Sequence, residues 1–346
     1  MAVFNLLTAG LLLLAGAGSA SPAGLSSAHR ASGCGKEPDV RLNRRIAEEL
    51  PSGREYLFWV PPNYDPHRET PLVLSFHGAT KTPAAQADLD LLTTPFFNTD
   101  HIVVYPSSGE YGANKGRYWQ GAPQTPASVD DVGFVLEVLD AMEERFCVDR
   151  ARVYATGKSQ GGLMTNNLAC DPRSSSRIAA FAPVSGSYYV NVTGPACTPQ
   201  TLAFDCHPAR EHVPLLIFHG GADQTINFTG GARSGECVPD IPHFVDAWAA
   251  RDGVGGGSTE RSGPLPGAGD NAMLYRYGSG ELEDLVEFVY DGDHVNHQWP
   301  ATIVNADSIE YASSPATFNA SSLIMSFFGR YNLRGRRRIG RSFRLW

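Results

Sequence analysis

Charge is what this sequence has least of. Only 18% of its 346 residues are Asp, Glu, Lys or Arg, while 42% are apolar. That balance excludes a disordered chain, whose signature is low hydrophobicity with high charge. Beyond the N-terminal segment, no apolar run approaches the roughly 18 residues that a bilayer-spanning helix needs. The six cysteines include no CxxC pair, which leaves zinc-ribbon and thioredoxin chemistry without support. There is no internal repeat, and although Gly and Pro are plentiful (36 and 24) they show no collagen period. Basic residues are outnumbered 28 to 36, and they are unevenly placed. Tyr331–Trp346 hold six Arg and no acid, so residues 1–330 carry 22 basic against 36 acidic residues, net −14. An acidic body repels phosphate backbones, and no nucleic-acid partner is expected.

What is present begins with an address. Leu6–Gly18 is a short apolar run followed by the small residues Ser19 and Ala20, the pattern of a secretory signal cleaved near Ala20. A transmembrane anchor is the competing reading, but the run is short for a span. The expected organisation is a signal at 1–20, a Ser/Ala/Gly-rich flexible lead-in at 21–35, one catalytic domain at 36–330 and an Arg-rich disordered tail at 331–346, with no membrane partner. Secretion agrees with an even number of cysteines, Cys34, Cys147, Cys170, Cys197, Cys206 and Cys237, read as three disulfides with fifteen possible pairings. Cys197 and Cys206 are close enough for a local bridge. Cys34 is expected to staple the lead-in to the body, with Cys147, Cys170 and Cys237 as the remaining options. N-x-S/T sequons at Asn191, Asn227 and Asn319 are candidate glycosylation sites.

From Tyr56 onward, apolar runs alternate with helical periodicity. Residues 56–60, 72–76, 102–105, 152–156, 178–184, 215–219 and 284–290 read as strands, several of them apolar throughout, as strands buried on both faces are. Val129–Phe146 reads as an amphipathic helix opened by Asp130 and Asp131, whose charge suits the helix dipole; 241–250 and 317–328 read as two more. This alternation predicts an α/β fold with a doubly wound, mostly parallel sheet. Gly253–Gly269 reads as a solvated loop.

The sharpest motif is Gly157-Lys158-Ser159-Gln160-Gly161. It fits G-x-S-x-G between an apolar strand and a helix-compatible segment, the setting in which a tight turn exposes a serine hydroxyl at the carboxyl edge of a sheet. The Gly-Lys-Ser sequence also resembles the end of a phosphate loop, but that loop needs Gly where Arg152 stands. A serine nucleophile needs a base, and the base needs a carboxylate to fix its tautomer. In this fold the acid follows the serine, and the histidine comes last. Asp223 follows the strand 215–219 and is the candidate acid. His294 and His297 both lie in the loop after 284–290 and are candidate bases. Asp291, Asp293, His294 and His297 match no standard metal spacing; no metal and no cofactor is expected. The backbone N–H of Gln160, at the helix start, and that of Ala79, after the strand 72–76, are the candidate oxyanion donors. His77 precedes the serine and reads as structural.

Taken together, His77-Gly78, Trp119-Gln120-Gly121, Val129-Asp130-Asp131, Tyr154–Ser159, Phe181–Gly186, His219-Gly220 and His297-Gln298-Trp299-Pro300 resemble the fungal feruloyl esterases of the type C/D group. These belong to carbohydrate esterase family one and are similar to secreted polyhydroxybutyrate depolymerase-like esterases. The resemblance runs from about Cys34 to about Tyr331. It implies an α/β-hydrolase fold and a secreted serine esterase releasing ferulic acid from a feruloylated polysaccharide such as arabinoxylan. Relatives show Gly-His-x-Trp-Pro at the base; here Asn296 replaces the Gly, and the fit of the rest favours His297 over His294. Ser159, Asp223 and His297 are thus the implied triad, and Trp119 and Trp299, with Tyr118, are candidates for a phenolic pocket. Acetylxylan esterase and polyester depolymerase are the alternative activities, and a non-catalytic carbohydrate-binding protein on a hydrolase fold is the alternative of a different class.

Overall fold

In a computed structural model, which describes residues 30–255 and 260–335, fourteen strands occur. They are β1 (Arg45–Glu49), β2 (Glu55–Trp59), β3 (Thr70–Phe76), β4 (Ile102–Pro106), β5 (Glu110–Tyr111), β6 (Gly116–Arg117), β7 (Val148–Lys158), β8 (Ala180–Val184), β9 (Leu215–His219), β10 (Gly231–Arg233), β11 (Glu236–Val238), β12 (Glu260–Pro264), β13 (Met273–Tyr277) and β14 (Val286–Tyr290). Ten form one sheet in the order β1-β2-β4-β3-β7-β8-β9-β14-β13-β12. Its middle, from β4 to β14, is parallel, and antiparallel strands finish both edges. The parallel strands β3, β4, β8 and β9 are buried at every position, because helices cover both faces of such a sheet.

The helices are α1 (Pro83–Asp90), α2 (Asp131–Arg145), α3 (Gln160–Cys170), α4 (Pro172–Ser175), α5 (Ile241–Arg251), α6 (Ala306–Glu310) and α7 (Ala320–Phe328). α2 starts where its acidic pair predicts: the Asp130 side chain caps it by accepting from Gly133 N, one of the donors a helix start leaves open. The buried Asp131 carboxylate accepts from Gln120 N at 2.7 Å and pairs with Arg54 at 2.8 Å, while Gln120 Oε1 accepts from Asp131 N at 2.9 Å. The Trp-Gln-Gly and Val-Asp-Asp segments are therefore two halves of one lock. Among the described residues no helix is long and apolar enough to cross a membrane.

Several expectations are corrected. The stretch 253–269 is more than a loop, since it holds β12, which pairs with β13 at the sheet edge; polar edge strands lack the apolar run by which buried strands are recognised. The disulfides are Cys34–Cys147, Cys170–Cys206 and Cys197–Cys237, so Cys197 does not bridge to Cys206. Sequence proximity yields to the fold here: Cys237 lies on β11, paired with the loop residue Val190, and Cys206 meets the end of α3. The C-terminal part of the lead-in is folded: Ala31 is buried and Gly33 N donates to Glu143 O at 2.9 Å. The body also extends past Arg330, with Tyr331 buried and Leu333 N bonded to Ala151 O at 2.9 Å. The signal, the rest of the lead-in, and residues 336–346 lie outside the described residues. Of the sequons, Asn191 and Asn227 are exposed, whereas Asn319 accepts from Thr302 N at 3.0 Å.

Candidate functional site

β7 ends at Lys158, α3 begins at Gln160, and Ser159 makes the whole turn between them. Its φ of 59° and ψ of −118° are left-handed and costly for a residue with a Cβ, of the order of 1–3 kcal/mol. Two glycines leave no relaxed alternative. A Cβ on Gly157 would drive into Gly161 O and Phe76, and one on Gly161 into the backbone of Phe76 and His77. The close approach of strand and helix thus needs glycine on both sides of the serine, and the hydroxyl is held off the sheet edge.

Against it stands His297. Its Nε2 is 2.8 Å from Ser159 Oγ, and its Nδ1 is 2.7 Å from Asp223 Oδ2. The other oxygen of Asp223 accepts from Thr225 N (2.8 Å) and Ile226 N (2.7 Å), so the carboxylate is fixed in a turn just past β9. That geometry puts the proton on Nδ1 and leaves the Nε2 lone pair toward the hydroxyl. Burial pushes the Asp223 carboxyl up, but the His297 ring, His219 and the turn N–H groups outweigh it, and the net shift is downward. Burial lowers the His297 pKa, the Lys158 cation lowers it further, and Asp223 opposes both; the net direction is downward. A neutral imidazole beside an ionised carboxylate is a state able to accept a proton from a hydroxyl. His294, by contrast, is exposed in a short 3₁₀ turn.

Other side chains hold this loop. Asn296 Oδ1 accepts from Gln224 N at 3.0 Å and from His297 N at 2.8 Å, tying the acid turn to the base loop. Asp307, on α6, accepts from Trp299 N at 2.8 Å through one oxygen and lies 3.3 Å from Lys158 Nζ through the other. Both members of that ion pair are buried. Tyr311 fills the space between: its ring stands 4.6 Å from Lys158 Nζ and edge-on to His297 at 5.3 Å. The residue just before the serine is therefore clamped to the loop that carries the histidine. Sequence reasoning noted Asn296 only as a departure from a pattern and missed Asp307, since no local motif encodes a partner 149 residues away (158 to 307).

The loop after β3 approaches Ser159 from the other side, where a Cβ on Gly78 would stand 3.4 Å from Ser159 Cβ. His77 is buried, with Nδ1 on Gly78 O at 2.8 Å and Nε2 accepting from Ser108 N at 3.2 Å. Burial pushes its pKa down to about 4, and a neutral ring with both nitrogens engaged is structural. Ala79, next in line, is partly exposed, and Gln160 N opens α3, where first-turn N–H groups lack intrahelical partners.

Trp119 and Trp299 are corrected as pocket candidates. Each is buried, with its indole N–H bonded to His77 O (2.8 Å) and Ser321 Oγ (3.0 Å) respectively; Trp119 is core, and Trp299 borders a cavity with Phe96, Phe97 and Ile303 that contains none of the triad residues. Tyr118 differs: it forms a separate cluster with Leu163 and Ala122, against which Ala79, Tyr111 and Tyr189 pack partly exposed. Leu163 is one turn along α3 from Ser159, bonded to its carbonyl at 3.1 Å.

Comparison with known proteins bears on the fold and the class. Residues 89–192, which include the elbow, match the model of the prolyl oligopeptidase family, Peptidase_S9. The chain is 26% identical to feruloyl esterase D of Neurospora crassa over 83% of its own length and 89% of that protein. It is 25% identical to a probable feruloyl esterase C of Aspergillus niger over 78% and 86%. A bifunctional acetylxylan esterase/xylanase of Neocallimastix patriciarum is 30% identical over 52% of this chain, which is only 23% of that longer protein. Among solved structures, an acetyl xylan esterase from Aspergillus awamori superposes with a TM-score of 0.56 at 19% identity, covering 83% of this chain and 98% of that one. Fold, elbow and relatives together define the class: a serine carboxylic ester hydrolase with the α/β-hydrolase fold. Within that class, the chain is a relative of the feruloyl esterases C and D.

Proposed function

We propose that this protein is a secreted esterase that releases ferulic acid from feruloylated plant cell-wall polysaccharide. Ser159 Oγ attacks the ester carbonyl while His297 takes its proton. Asp223 holds the imidazole and stabilises its cationic form, and the amides of Gln160 and Ala79 receive the oxyanion. His297 then protonates the leaving sugar alkoxide, and water repeats the sequence on the acyl-enzyme. The observation that carries the reading is the hydrogen-bonded series Ser159–His297–Asp223, set beside the tyrosine-rich cluster of Tyr111, Tyr118 and Tyr189. A planar phenolic acid stacks on aromatic rings and bonds to their hydroxyls, whereas an acetyl group gains little from either. The extracellular location is supported by three disulfides with no free cysteine among the described residues.

Acetylxylan hydrolysis is the second reading, favoured by the partial match to an acetylxylan esterase/xylanase. Rates on methyl ferulate, acetylated xylan and a short hydroxybutyrate oligomer separate these activities. Highest kcat/KM on methyl ferulate is the expected outcome; preference for acetylated xylan would replace the feruloyl assignment, and inertness toward all three and toward activated phenyl esters would remove the esterase.

A further inference from the structure

Between β8 and β9 the chain makes a long excursion, residues 185–214, that contains no strand. It arches over the end of α3 and the side of α5, and two disulfides fasten it: Cys170–Cys206 to α3 and Cys197–Cys237 to the β10–β11 hairpin. Beneath it lies a cavity of about 520 Å³, within the roughly 300–1,000 Å³ typical of small-molecule sites. It is bounded by α3 from Leu163 to Cys170, by α5 from His243 to Arg251, and by the excursion itself.

Its lining mixes aromatic and aliphatic side chains with a few neutral-polar ones. Phe204 lies at the mouth, edge-on to Phe244 at 5.3 Å, and Trp248 lies deeper. Asn166 Oδ1 accepts from Trp248 Nε1 at 3.1 Å, while its NH₂ has no partner among the described residues. Asn167 donates to Gln120 O at 2.8 Å, which leaves its carbonyl oxygen as an acceptor. The hydroxyl of Tyr188 is buried without a partner among the described residues. The one deep charge, Arg251, is neutralised by Asp252 beside it. Such a site offers aromatic faces and uncharged donors and acceptors, the complement of a neutral polyhydroxylated ring. Leu163 and Tyr189 belong both to this cavity and to the cluster of Tyr118 and Ala79, so the two adjoin through these side chains.

We propose that this cavity is a sugar subsite, holding a pentose unit on the alcohol side of the ester while the acyl group rests on the tyrosine cluster. The assignment builds on the feruloyl esterase reading. It is tested on the full chain in two measurements. In the first, Ser159→Ala protein is titrated with xylotriose, by tryptophan fluorescence and calorimetry. Saturable binding with Kd of about 1 mM or tighter is expected, weakened at least about fivefold by Phe204→Ala, a partly exposed position, and by Asn166→Ala. In the second, the active chain is compared on a feruloylated arabinoxylotriose and on methyl ferulate. Each substitution should lower the ratio of kcat/KM for the two esters by about tenfold, chiefly through KM. Absence of xylotriose binding, binding indifferent to both substitutions, displacement of xylotriose by ferulate, or an unchanged ratio would each overturn the subsite. Failure of the parent to hydrolyse methyl ferulate, with xylotriose still bound, would instead remove the feruloyl reading and leave the sugar site standing.

Discussion

The two sides of the proposed triad are fixed in different ways. On the serine side, backbone geometry does the work: a positive φ at Ser159, two glycines that admit no Cβ, and a strand and helix in contact. The residues that make the turn are five consecutive ones, packed against the backbone of Phe76 and His77. On the histidine side, side chains do it. His297 is placed by Asp223 from the turn after β9, by Asn296 reaching back to that turn, and by the buried Lys158–Asp307 pair between β7 and α6. A local steric device tolerates no substitution, whereas a distributed network should lose function by degrees. That contrast organises the expected effects of substitution.

The largest effects test the triad itself. Ser159→Ala should lower kcat by several orders of magnitude with folding intact, and His297→Ala by nearly as much, because triad members act as a unit. His294→Ala should retain most activity, since that ring is exposed and outside the hydrogen-bonded series. An inactive His294→Ala beside an active His297→Ala would move the base three residues upstream.

Next comes Gly161→Ala, which tests the serine side as a steric device. One methyl group would have to occupy the space of the Phe76 carbonyl. Overpacking of this kind costs about 1–3 kcal/mol, and more where backbone must move. The midpoint of urea unfolding should fall by at least the equivalent of about 2 kcal/mol, with activity lost alongside. Unchanged stability would show that strand and helix can part, and the comparison would lose its first half.

What was readable in the sequence follows the same division. The elbow and the strand before the acid were legible because short-range sterics and burial write them into adjacent residues; β9 lies where the run Leu215–His219 puts it. Asp223 was legible from its position after that strand. The role of Asn296 was not, since its departure from the relatives' Gly says nothing of the Gln224 N–H it bonds. Trp119 and Trp299 misled for a related reason. An aromatic residue in a motif can be a binding surface or a core, and its burial in the fold decides. Lys158 suggested a phosphate loop at first sight; its charge is spent on Asp307, far along the chain.

Lys158→Met probes that pair. The charged groups facing His297 are Asp223, Lys158, His219 and, farther out, Glu310. Lys158 is the cation that holds the His297 pKa down after burial itself. Its removal should raise that pKa, and the unpaired Asp307 carboxylate acts in the same direction. The base works unprotonated, so the acid limb of the kcat/KM profile should move to higher pH, with the plateau at high pH less affected. Leaving Asp307 buried and unpaired costs about 3–5 kcal/mol of stability, so the profile is measured well below the unfolding temperature. An acid limb that stays in place, or moves down, would reduce the pair to a structural tie.

The smallest effect is expected for Asn296→Gly, which introduces the Gly that the resemblance led one to expect before the histidine. It removes the acceptor for two backbone N–H groups, those of Gln224 and His297. Gln224 is exposed and water can replace its partner, whereas His297 is buried, so the net loss is of the order of one hydrogen bond, about 1 kcal/mol. Because the Asp223–His297 and His297–Ser159 bonds stay in place, the loop should loosen without leaving, and kcat should fall by less than about tenfold with KM little changed. Asn296→Asp keeps an oxygen acceptor at the same reach and should recover most of that loss. If Asn296→Gly is instead as inactive as His297→Ala, the histidine side is as brittle as the elbow, and the distinction between a steric turn and a distributed network does not hold for this protein.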